Sequence, residues 1–83
     1  MEKLEAILGK NVKIEGFCKY SLNVKISFNQ SEDLKSFKKK ISKYGLVIEE
    51  DNGDYFITNT DGPGRDILLS YKPRHEEIIT KRN

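Results

Sequence analysis

The chain holds one thiol, Cys18, and one imidazole, His75, among 83 residues. Nucleophilic catalysis needs a nucleophile, a base and a group that orients the base, all within mutual reach. Cys18 falls in a loop between two strand-like segments and His75 in a polar tail, so nothing in the spacing joins them. No His or Cys pair stands at metal-ligand spacing, and a structural zinc site wants several such ligands. Glu49, Glu50, Asp51 and Asp54 crowd one hairpin end without the oxygen-ligand spacing of a calcium loop. They read as solvated turn charges. The sequence therefore predicts no enzyme, no cofactor and no metal.

Three other features suggest contacts with a partner. Asp61-Gly62-Pro63-Gly64-Arg65-Asp66 is glycine-rich, and such turns can aim backbone N–H groups at a phosphate, with Arg65 adding a bidentate contact. It matches neither the dinucleotide fingerprint nor the P-loop pattern, and Pro63 removes one donor. A strand connection is the better reading. Lys35, Lys39 and Lys43 recur at i, i+4 and i+8, so they stack along a helix and could follow a phosphate backbone. Lys38 and Lys40 widen this face, and Arg74, Lys81 and Arg82 would extend it from the tail. Against that, lysines near a helix C-terminus complement its dipole without any partner, and no glycine-flanked aromatics of the base-stacking kind occur. Finally, Val47 and Phe56 fall on the polar side of a hairpin, beside Glu49 and Thr58. Such a pair is either covered from within, through Ile78 and Ile79 of the tail, or left exposed as a protein-binding patch.

These features must be positioned by elements that the hydrophobic periodicity defines. A chain of this length supports one core. Apolar residues make up 36% and charged residues 34%, polar for a globular protein, but the apolar residues fall in phased clusters that a disordered chain lacks. Fifteen Lys and Arg against 13 Asp and Glu leave a net charge of only +2, so the balance is not that of a dedicated nucleic-acid coat. No run of about 18 apolar residues exists to span a bilayer, and Glu2, Lys3 and Glu5 interrupt the segment a signal peptide would use. A lone cysteine in a small unstapled domain fits a reducing compartment, so a cytoplasmic location is expected, with no membrane partner.

Leu4, Ile7 and Leu8 predict one or two helical turns over Glu2–Leu8, stopped at Gly9. Val12, Ile14 and Gly16 alternate with Lys13, Glu15 and Phe17 as a strand. Leu22, Val24, Ile26 and Phe28 form the cleanest apolar stripe in the chain, and a hairpin through the short Cys18–Ser21 loop joins the two strands. Ser31 is placed to cap a helix that opens with Glu32 and Asp33. Leu34, Phe37, Ile41 and Tyr44 share one side of it, and it ends at Gly45. That side is expected to face the stripe of the second strand.

Asn52-Gly53 is the pair that best supplies a type I′ turn. It predicts a two-residue hairpin pairing Asp51 with Asp54, Glu50 with Tyr55, Glu49 with Phe56, Ile48 with Ile57 and Val47 with Thr58. The Asp61–Gly64 stretch reads as a loop, Ile67–Tyr71 as a short buried strand whose apolar run is too short for periodicity to exclude a helical turn, and the segment from Arg74 as a weak edge strand or a last helical turn. The expected order is α-β-β-α-β-β-β. It gives an α+β domain with a mainly antiparallel sheet of two hairpins plus a further strand, and one amphipathic helix on one face. With so thin a chemical inventory, the sequence predicts a non-enzymatic binding protein. It would dock on a larger protein as an adaptor or inhibitor, of the kind carried by phages and other mobile elements. The alternative is nucleic-acid binding through the lysine face.

Overall fold

A computed structural model describes residues 3–28, 34–59 and 62–79, with the side chain of Ile79 excepted. The chain runs α1 (Leu4–Leu8), β1 (Val12–Cys18), β2 (Asn23–Phe28), α2 (Leu34–Ser42), β3 (Leu46–Asp51), β4 (Asp54–Asn59), α3 (Gly62–Ser70), a 3₁₀ turn (His75–Glu77) and β5 (Ile78–Ile79). The strands form one sheet in the order β3-β4-β2-β1-β5. All neighbours are antiparallel except β5, which runs parallel to β1. The fold is α+β, with two hairpins and a further strand.

The second hairpin has the expected register at every predicted pair, from Asp51 opposite Asp54 to Val47 opposite Thr58. Asn52 and Gly53 take φ of 54° and 84°, the two positive angles of a type I′ turn, whose twist matches that of the strands it joins. The first hairpin departs from simple alternation. Register shifts between Ile14 and Gly16, so Glu15 is an extra residue that reverses which face the rest of β1 presents. Phe17, expected on the polar side with Lys13, is consequently buried with Val12. Leu22 has φ of 50° and lies in the turn before β2, not in the strand. It still reaches the core.

One core cluster gathers Leu4, Ile7 and Leu8 of α1, Phe37 and Ile41 of α2, and Ile67 and Leu68 of α3 against the Val24, Ile26 and Ile57 side of the sheet. All three helices thus lie on one face, where one was expected. Phe28 meets Phe37 edge-on at 5.6 Å and Tyr55 at 5.5 Å, which seats α2 on the β2 stripe as its periodicity implied. Leu34 is only half-buried. Ser31, Glu32 and Asp33, the expected capping residues, lie outside the described residues, as does Asp61.

The largest departure is α3. Residues 62–70 are helical where a loop and a strand were expected. Gly64, Ile67 and Leu68 are its buried residues, spaced at i, i+3 and i+4, so the helical period emerges once the glycine is counted as an inward position. Pro63 stands in the first turn, where its missing N–H costs nothing. Gly64 is there for lack of a side chain: a Cβ on it would sit 2.4 Å from the carbonyl oxygen of Gly45. Gly45, with φ of 79°, turns the chain from α2 into β3. The start of α3 is thereby pressed onto the α2–β3 corner.

Candidate functional site

Beyond α3 the chain cannot continue as helix, because Pro73 lacks a donor and disfavours helical geometry at Lys72. Residues 71–74 cross without regular structure to the 3₁₀ turn, which delivers β5 to the edge of β1. Phe17 pairs with Ile78 and Cys18 with Ile79. This crossing leaves a groove of about 520 Å³ between the end of α3, the 71–73 crossing, the turn after β1 and β5. Its floor is Phe17, 5% exposed, with Tyr71 packed edge-on at 5.4 Å. Leu69, Tyr20, Ile78 and Pro73 form the sides, and Lys19 and Lys72 stand among them.

Among the described residues, the exposed large hydrophobics are Tyr20 at 88%, Leu69 at 47% and Ile78 at 56%. All three line this groove. Isolated exposed apolar residues need no explanation, but a clustered set around a concavity is characteristic of interaction sites.

A buried carboxylate fixes the groove's tyrosine. Glu77 is 3% exposed. The Tyr71 hydroxyl donates to its Oε1 at 2.5 Å and the Arg74 backbone N–H to the same oxygen at 3.1 Å. Arg74 Nε and Nη2 donate to Oε2 at 3.0 and 2.9 Å. Burial pushes the Glu77 carboxyl up, but the bonds from Tyr71 and Arg74 outweigh it and hold the group below the usual carboxylate value. Tyr71 is held above the usual phenol value, by burial first and then by its bond to Glu77. The clasp anchors both ends of the 71–77 crossing, so the groove wall is preset rather than formed on binding.

The residues singled out from sequence lie elsewhere. Val47, Glu49, Phe56 and Thr58 do share one face of the β3–β4 hairpin, in the expected register and on the side away from the helices. Phe56 is buried at 5%, Val47 and Thr58 are half-buried, and Glu49 is exposed. The expected cover from Ile78 is not there, because β5 is separated from β4 by β2 and β1. Lys35, Lys39, Lys40 and Lys43 are all exposed, and the Lys40 ammonium lies 5.1 Å from the Phe37 ring centre. Arg74 is committed to Glu77 at 2.9 Å, with Glu76 at 3.8 Å. Lys81 and Arg82 lie outside the described residues.

The thiol and the imidazole lie in different surroundings. Cys18 is fully buried with Sγ 3.5 Å from Ser21 Oγ, whereas His75 is exposed. The glycine-rich stretch around Gly62 and Gly64 is the first turn of α3, packed on Gly45 rather than open as a phosphate cradle. Among the described residues, no group of three or more His, Cys, Asp or Glu side chains could hold a metal ion. No described helix is long and apolar enough to cross a membrane. Compared with known proteins, the chain matches no family model, no curated protein and no solved structure.

Proposed function

We propose that this chain is a non-enzymatic binding protein of adaptor or inhibitor type, which docks on a larger cytosolic protein through the groove at the β1–β5 edge. The observation that carries this reading is the convergence of Tyr20, Leu69 and Ile78 on one concavity. Large exposed aromatic and aliphatic side chains beside a buried aromatic floor supply the anchors and desolvated centre that dominate protein interfaces. The reducing compartment is supported by the single cysteine and by a core closed without disulfides. Phe56 is less suited to anchoring, because at 5% exposure it leaves a partner little to desolvate, and Val47 beside it is half-buried.

The test is capture from the native cell with wild-type bait and with Leu69→Ser, Tyr20→Ser and Lys39→Ala baits. Retention of a stoichiometric partner should fall at least about tenfold with either groove variant, a loss of about 1.4 kcal/mol, and be unchanged by Lys39→Ala. Equal retention by all four baits would reject the groove.

A second reading rests on exposed Lys35 and Lys39 of α2 and exposed Lys43 in the turn just past its end, where the helix stops short of the expected Gly45. Nucleic-acid binding there predicts affinity that falls steeply with salt. Titration with duplex DNA, single-stranded DNA and RNA at low and high salt checks it, and no binding at low salt removes it.

A further inference from the structure

We infer that the groove takes an acidic linear segment of a partner protein, one that inserts an apolar side chain between Leu69 and Tyr20 and sets carboxylates against Lys19 and Lys72. This rests on the docking reading above and adds the chemistry of the occupant. Its first support is shape. A concavity of about 520 Å³ is in the size range of clefts that enclose a ligand, about 300–1,000 Å³, and admits projecting side chains rather than a flat protein face. The second is charge. The residues lining the groove include two lysines and no carboxylate.

Of the acids nearby, Glu5 lines the neighbouring concavities together with Tyr71 and Lys72 and is not part of this groove's lining. Glu77, the acid behind the Tyr71 wall, is buried and bonded to the Arg74 guanidinium through both Nε and Nη2, so its field at the groove is offset. On α3, Asp66 and Arg65 stand three and four residues before Leu69, one charge of each sign. Lys19 and Lys72 are both exposed, so each keeps its hydration until a carboxylate approaches. Lysines placed this way raise encounter rates and reject basic competitors more than they add affinity. The apolar contacts supply the affinity.

The test is selection of random linear peptides displayed on phage against the full chain, followed by titration of labelled synthetic copies. Enriched peptides should combine a leucine or aromatic anchor with net negative charge, and should weaken as salt rises. Their affinity should fall at least about tenfold on Leu69→Ser or Tyr20→Ser, and several-fold on Lys19→Glu with Lys72→Glu. Asp-to-Asn copies of the peptides should lose the same several-fold on wild type and be indifferent to the lysine reversals. Neutral or basic peptides that still depend on Leu69 would overturn the acidic occupant while sparing the docking groove. Peptides indifferent to Leu69 and Tyr20, or no enrichment, would overturn both. Sedimentation of the free chain covers the remaining occupant: a dimer abolished by Leu69→Ser would assign the groove to a second copy and reject the peptide.

Discussion

The β3–β4 hairpin and the segment from Gly62 to Ile79 carry similar apolar content but are encoded differently. In the hairpin, two turn residues fix the register and strict alternation fixes the faces, so each residue's place follows from its immediate neighbours. In the 62–79 segment, placement depends on residues distant in sequence. Gly64 fits only because Gly45 is beneath it, Ile78 lies where Phe17 puts it, and Tyr71 is held by Glu77. The candidate site arises in the second region. A concavity needs non-local elements to bound it, whereas a regular hairpin presents a covered or flat surface.

This difference can be probed by substitution. The core shared by both regions should show the largest effect. Phe37 is 1% exposed against Phe28, and Phe37→Ala should cost about 3–5 kcal/mol in denaturant melts. Next comes the contact that seats α3. Gly64→Ala forces a Cβ to within 2.4 Å of the Gly45 oxygen, and because backbone must move, a loss of about 1–3 kcal/mol is expected. By contrast, an alanine at exposed Pro63, in the same turn, should change stability by under about 1 kcal/mol. Equal effects would mean that α3 is not pressed onto Gly45.

The clasp gives a pH-dependent effect. Because the folded carboxyl of Glu77 is held below its unfolded value, near 4.3, the stabilisation is complete above that pH and lost as pH falls through the lower folded value. Glu77→Gln should cost about 1–3 kcal/mol at pH 7, and the gap from wild type should close on acidification below about pH 4. A gap that does not change with pH would remove the ionised clasp. A small stability effect is expected at the site itself. Leu69→Ser, at a position 47% exposed on α3, should cost about 1 kcal/mol, which leaves the chain folded and lets its effect on binding be read apart from unfolding.

The legibility of the chain follows the same division. Asn52-Gly53, the β2 stripe and the face of α2 were readable because period and turn chemistry are local. The Glu15 bulge was not, since one inserted residue leaves composition unchanged while moving Phe17 to the other face. Ile67–Tyr71 misled because a short apolar run fits either period, and the deciding inward residue, Gly64, has no hydrophobic side chain to count. For the site, Leu69 was hidden inside an expected buried strand and Tyr20 inside a loop. They meet through contacts between residues far apart in sequence: Tyr71, just past the end of α3, packs on Phe17, and β5 sets Ile78 beside the same residue.

The docking claim is tested most directly by amide chemical-shift changes in the full chain as the captured partner, or a selected peptide, is added. The groove account predicts changes centred on residues 17–20, 69–72 and 78, with the β3–β4 hairpin and α2 unmoved. Changes centred on Val47, Phe56 and Thr58, or on Lys35, Lys39 and Lys43, with Tyr20 and Leu69 unaffected, would contradict it.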